Sequence, residues 1–273
     1  MKRLIGLMAI LPCLLVSLLA MAEAQPLAGA NTVAVKAVIE KKFQQSRPEL
    51  RIESVVQSEI DGLYAVKFVN GPVIYVTADG GYFVMGDLYS VEPSGFVNLA
   101  EQGRDGERKA LLAKVKMADM IVFSPAELPA KAHVTVFTDV DCFYCQKLHK
   151  EMADINRLGI EVRYLAFPRA GIGSDSYKKI ASAWCAKDRN EAMTKLKLRQ
   201  PIATNVCAGN PVADQYELGQ EMGVTGTPAL ITEDGRLMPG YMPALQLAKA
   251  LGVTVDPVVA SELAARQAAS PQR

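Results

Sequence analysis

Two cysteines three residues apart, Cys142-Phe143-Tyr144-Cys145, sit at a junction. Before them runs the apolar stretch His133 to Val140; after them Cys145, Leu148, Met152 and Ile155 recur at helical spacing up to Gly159. A helix N-terminus carries unpaired N–H groups and the positive end of the peptide dipole, so a thiol placed there ionises readily. A lowered pKa raises the thiolate fraction at neutral pH and also makes the sulfur a better leaving group. The pattern points to a redox dithiol. Cys142 is the expected nucleophile. Cys145, about one turn on and inward, would resolve a mixed disulfide. Phe143 and Tyr144 set polarity and shape around the attacking sulfur.

The competing use of a C-x-x-C pair is zinc binding, with Cys185 and Cys207 completing four ligands. The second pair is not knuckle-spaced. His133 reads as a strand-edge residue and His149 as a surface or partly packed helix residue rather than a base. No metal and no cofactor is expected. Cys185 and Cys207 read best as a structural disulfide across a helical insertion, worth about 3 kcal/mol in the chain-entropy model; a second redox-active pair is the functional alternative. Thr227-Pro228 is the third chemical element. By itself it is a proline opening the apolar strand Ala229–Thr232.

The N-terminus reads as a secretory signal, residues 1–24. Lys2 and Arg3 form its charged end, Leu4 to Ala20 its apolar core, and Ala22-Glu23-Ala24 a small-x-small cleavage site, with Ala20-Met21-Ala22 as competitor. The alternative is an N-terminal membrane anchor, but the apolar run of about 17 residues is shorter than the ~20 a span needs. Cleavage near Ala24 removes Lys2, Arg3 and Glu23 from 30 basic and 29 acidic residues, leaving a nearly neutral chain. Nothing basic enough for nucleic acid remains. Cys13 leaves with the signal, and the four remaining cysteines allow three pairings; joining Cys142 to Cys145 and Cys185 to Cys207 fits the local context best.

About 250 residues then remain, which makes two domains the prior. Residues 33–91 read as one: a helix over Val33–Phe43, then short strands. Leu63–Val69 meets the turn signal Asn70-Gly71, Val73–Val76 meets Asp79-Gly80, and Tyr82–Met85 follows. So small a domain buries a modest core, and a partner chain covering a face or edge would help it. Residues 92–118 read as a linker. Pro93, Gly95, Gly103 and Gly106 mark a break, then a helix over Glu107–Lys116 carries an apolar stripe of Leu111, Leu112 and Val115. A surface helix of either neighbouring domain is the alternative. Residues 119–255 alternate strand and helix: a strand Val134–Val140, a helix Phe143–Leu158, a strand Ile160–Phe167, a helix capped by Ser174 or Asp175, a helix near Asn190–Leu198 and one opened by Asn210-Pro211. A hairpin turning at Asp234-Gly235 and a last helix, Ala244–Leu251, close the series. Such an order suits an α+β chain whose C-terminal part is thioredoxin-like with helices inserted midway. Residues 256–273, rich in Ala, Ser, Gln and Pro, read as a flexible tail.

The chain resembles the exported thiol–disulfide isomerases of the DsbC type. The resemblance rests on Phe137-Thr138-Asp139, Cys142-x-Tyr144-Cys145, Lys147-Leu148-His149, Arg163 to Arg169, Trp184 to Asp188, Gly226-Thr227-Pro228 and Pro239-Gly240-Tyr241. It is strong over 131–245 and weak over 33–90. It implies a cystatin-like N-terminal dimerisation domain, a helical linker and a thioredoxin-like catalytic domain, two of whose arms face an apolar cleft. Cys142 matches the attacking cysteine, Cys145 the resolving one, Thr227-Pro228 the cis-proline loop, and Cys185 and Cys207 the structural pair. A membrane reductase of the DsbD type is the implied electron donor. Two positions depart from the family: Phe143 stands where Gly is common, and Gln146 where His is frequent. The stretch Gly103-Arg104-Asp105-Gly106 also looks longer and more flexible than a typical linker.

The reading is a periplasmic homodimer that rearranges wrong disulfides in misfolded exported proteins through a Cys142 mixed disulfide, with chaperone-like client binding. Its rivals are a DsbG-like reductase of sulfenylated single cysteines, a monomeric dithiol oxidase, and a chaperone whose cysteines are incidental.

Overall fold

In the computed structural model, which describes residues 28–69, 71–93, 95–127 and 129–269, the chain divides into two compact units, the second beginning at Asp87. The segment read as a signal and Asn70 of the expected turn lie outside the described residues.

In the first unit, helix α1 (Ala28–Ser46) precedes an antiparallel meander of β1 (Ile52–Gln57), β2 (Leu63–Phe68), β3 (Val73–Thr77) and β4 (Phe83–Met85), paired in that order. Strand alternation sends Tyr64, Val66 and Phe68 of β2 to one face, where Val35 and Ile39, one helical turn apart on α1, meet them with Val55, Ile74 and Val76. The Asp79-Gly80 turn forms as expected, with Gly80 at φ 67°. At the sheet edge, all three residues of β4 are exposed.

The second unit opens with a hairpin of β5 (Tyr89–Glu92) and β6 (Gly95–Asn98), where the sequence suggested only a break. Asn98 then caps helix α2 (Leu99–Leu112), its side chain accepting from Glu101 N–H at 2.9 Å. The helix expected over Glu107–Lys116 thus begins eight residues earlier, and Gly103 and Gly106, read as flexible, are helical. Arg108, 4% exposed, binds Glu101 at 2.6 Å and Asp105 at 2.9 Å, and donates from Nε to the Met222 carbonyl at 2.9 Å. These bonds offset the poor helix propensity of two glycines and dock the helix. Leu111, Leu112 and Val115, the expected stripe, pack beside Met120, Phe137 and Met222. Gly235, at φ 93°, passes so close that a Cβ there would lie 1.8 Å from the Asp105 carbonyl oxygen.

Beyond α2 a five-stranded sheet runs β11 (Leu237–Pro239), β10 (Ala229–Ile231), β8 (Ala132–Thr138), β9 (Ile160–Ala166), β7 (Ile121–Phe123). The β8–β9 pair is parallel, bridged by helices α3 (Phe143–Lys150) and α4 (Met152–Arg157); the other pairs are antiparallel. Helices α5 (Asp175–Trp184), α6 (Arg189–Lys197) and α7 (Val212–Glu221) fill the insertion before β10, and α8 (Ala244–Ala250) follows β11. Alternation divides the buried residues. Val136, Tyr164 and Leu230 join Leu148, Ile155, Trp184 and Leu247 in one cluster, while their neighbours Phe137, Leu165 and Ile231 join Met222 and Val224 in another.

Two further expectations change. The helix expected as Phe143–Leu158 breaks at Glu151, whose carboxylate accepts from the Tyr241 hydroxyl and from Ala244 N–H at the start of α8. The segment read as a flexible tail forms helix α9 (Pro257–Ala269), because Asp256 Oδ1 accepts from Val258 N–H at 2.8 Å and Leu263, 1% exposed, enters the core.

Candidate active site

Strand β8 delivers the chain to a tight turn before α3. The Asp139 carboxylate holds that turn: Oδ1 accepts from Asp141 N–H at 2.9 Å and Ser176 Oγ at 2.6 Å, and Oδ2 from Arg169 N–H at 2.9 Å. Gln146 braces it from the helix side, donating to the Val140 carbonyl at 2.9 Å and accepting from Arg199 Nε at 2.9 Å. Cys142 then takes the N-cap position of α3, and Cys145 the third helical position. Both are free thiols, 3% and 1% exposed.

The cis Thr227-Pro228 bond lies against them, with the Thr227 carbonyl oxygen 3.2 Å from Cys142 Sγ, which donates to it when protonated. The Thr227 hydroxyl, buried with no other partner among the described residues, acts on Cys142 and favours its thiolate. The Cys142 pKa is lowered to about 5. Hydrogen bonding from the Cys145 thiol is the largest cause; Thr227, the Cys145 backbone and the Arg169 charge add to it, against burial, which raises it. Cys142 is therefore almost wholly thiolate at neutral pH. Cys145 moves the opposite way: burial, then the hydrogen bond it gives to Cys142, pushes its pKa far up. One sulfur is charged and ready to attack, and the other holds its proton until a mixed disulfide forms.

The structure thus brings together Cys142, Cys145, Thr227 and Pro228. Phe143 and Tyr144 flank the sulfur as the exposed rim, with rings 5.4 Å apart edge to face. Tyr144 stacks on Tyr241 at 6.4 Å, and Lys147 Nζ sits 4.7 Å over the Tyr241 ring. Cys185 and Cys207 form a disulfide, Cα–Cα 5.8 Å, at the C-terminal end of α5. Among the described residues no cluster of three or more His, Cys, Asp or Glu could hold a metal. His149, expected at the surface or partly packed, is buried between Tyr164 and Thr194, and burial lowers its pKa to about 4. Sequence reasoning missed Lys197, a buried cation behind the dithiol, because a lone lysine in a polar helix reads as solvated.

This fold and site define a thiol–disulfide oxidoreductase built on a thioredoxin-like domain. A family model described as a disulfide bond isomerase protein N-terminal domain matches residues 22–101, and one described as a thioredoxin-like domain matches residues 122–253. The thiol:disulfide interchange protein DsbC of Escherichia coli K12 is 39% identical over 75% of this chain and 84% of its own length. That of Haemophilus influenzae is 36% identical over 84% of this chain and 95% of its own. A solved disulfide interchange protein from Neisseria gonorrhoeae is 31% identical, with half of this chain and 96% of that chain covered, at TM-score 0.46. The chain belongs to the DsbC family of thiol:disulfide interchange proteins, the disulfide isomerases.

Proposed function

We propose that reduced Cys142 carries the isomerase reaction. Its thiolate attacks a wrong disulfide in a client and forms a mixed disulfide, releasing one client thiolate. That thiolate attacks another client disulfide, and the client thiolate freed there attacks the client sulfur of the mixed disulfide and releases Cys142; alternatively, Cys145 attacks Cys142 Sγ and displaces the client in reduced form. The observation that carries this reading is the Cys142 sulfur itself, an N-cap thiol with its pKa lowered to about 5 beside a buried partner thiol and the cis-proline loop. Thr227 and Pro228 border the sulfur, and Phe143 and Tyr144 offer clients an aromatic surface. Cys185–Cys207 is structural.

The proposed clients are misfolded, disulfide-containing exported proteins. A homodimer joined through the N-terminal domain would hold them by apolar contact and raise the effective concentration of reacting groups. The edge strand β4, exposed at Phe83, Val84 and Met85, supports such pairing, since an apolar unpaired edge is a surface that a second chain covers. The proposed compartment is the periplasm, reached by the signal segment, with a membrane reductase of the DsbD type keeping Cys142 and Cys145 reduced. Among the described residues no helix is long and apolar enough to cross a membrane. Refolding of a scrambled multi-disulfide protein tests the reading. The parent protein should restore client activity and Cys142→Ala should not; equal yields from the two would overturn it.

A further inference from the structure

Lys197, the last residue of α6, is 1% exposed, yet its Nζ donates to Thr138 Oγ1 at 2.6 Å and to the Asp139 carbonyl at 2.9 Å. Both acceptors are neutral. A buried ammonium is costly unless a countercharge offsets it. The groups facing it are Cys142, Cys145 and His149 from α3, Tyr164 from β9, whose ring lies 5.5 Å from Nζ, and Asp139 and Asp141 from the turn. The Asp139 carboxylate is occupied by Asp141, Ser176 and Arg169, and Asp141 is paired with Lys179 at 2.9 Å. The Thr138 hydroxyl that accepts from Lys197 also acts on Cys145, where it favours the thiolate. Thr138 is therefore a polar neighbour that Cys145 and Lys197 share.

We infer that Lys197 is a positioning residue for the resolving step, its ammonium standing as counter-charge to the Cys145 thiolate across the Thr138 hydroxyl. The inference rests on the reading of Cys145 as the resolving thiol. Burial lowers the Lys197 pKa while the charge on Cys145 opposes that shift, and the Lys197 charge in turn lowers the Cys145 pKa, so ammonium and thiolate stabilise each other. The Cys145 proton passes to water. In the mixed disulfide, the Cys145 thiolate attacks Cys142 Sγ. The Cys142–Cys145 bond forms, the bond from Cys142 to the client sulfur breaks, and the client leaves as a thiolate that takes a proton from water. Two electrons pass from the dithiol to the client disulfide.

The test is the pH profile of client release from a preformed Cys142 mixed disulfide in full-length parent, Lys197→Met, Thr138→Val and Cys145→Ala proteins. Lys197→Met, which fills the same space without charge, should release client about tenfold more slowly at neutral pH, with the profile displaced upward by roughly one unit. Its thermal unfolding should match or exceed that of the parent, a combination that a merely structural lysine would not give. Thr138→Val should displace the profile the same way by less. Profiles that superimpose on the parent in folded Lys197→Met would overturn the inference; if that variant does not fold, superposition in Thr138→Val does so. Cys145→Ala separates the two claims. Client that stays attached in Cys145→Ala upholds the resolving role whatever Lys197 does, and client released at the parent rate removes that role and the inference with it.

Discussion

The two cysteine pairs of the thioredoxin-like domain sit at opposite ends of helices. Cys142 occupies the N-cap of α3, and Cys185 the C-cap of α5. Unpaired N–H groups and the positive dipole end favour a thiolate at Cys142, whereas a helix C-terminus disfavours one at Cys185. A disulfide whose thiolates are poorly stabilised is a poor target for exchange. Exposure does not separate the pairs in the expected sense: Cys142 and Cys145 are buried, while Cys185 and Cys207 are half-buried. On the proposed function, local electrostatics, and not access alone, distinguishes the sulfurs that exchange from those that hold the insertion closed.

The strongest way to break this contrast is to remove each pair in turn. Cys142→Ala should abolish refolding of scrambled clients, while the folded Cys185→Ala/Cys207→Ala double variant should keep it; loss of turnover in the folded double variant would mean that both pairs exchange. The second effect is on stability. Urea unfolding should find the double variant weakened by about 3 kcal/mol, the loop-closure value for a separation of 22 residues, and Cys142→Ala much less affected. The third is pH dependence. Alkylation of Cys142 follows the thiolate, so its rate should hold level as pH falls from 8 to 6 and halve near pH 5. The same depressed pKa adds stability to the reduced fold above the unfolded thiol value near 9, and that contribution is lost as pH falls through about 5. The smallest effect is that of Thr227→Val, which keeps the carbonyl beside Cys142 and removes the hydroxyl that favours its thiolate; it should raise the alkylation midpoint by roughly one unit or less.

Much of the site was legible because it depends on local patterns. An apolar strand, a C-x-x-C and a helical stripe place Cys142 at a helix start without any tertiary information, and the family resemblance supplied the cis Thr227-Pro228 bond that spacing alone left open. What escaped was set by long-range contacts. Lys197 looks solvated beside Lys195 until α6 is laid against α3. Gly103 and Gly106 look like breakers until Arg108 reaches Glu101, Asp105 and the Met222 carbonyl. Leu263 looks idle in an Ala-rich tail until α9 folds back, with Arg157–Glu262 and Arg266–Asp154 ion pairs at 2.8 and 3.1 Å. The Asp256-Pro257 pair was a readable helix start that composition outweighed.

The most direct test of the contrast between the two pairs is to express full-length Cys145→Ala in its exporting cell, trap mixed disulfides by acid quench, and map the linked cysteine by mass spectrometry. The account predicts client peptides joined to Cys142, with Cys185 still bonded to Cys207. Client peptides joined to Cys185 or Cys207, or no mixed disulfide at Cys142, would contradict it.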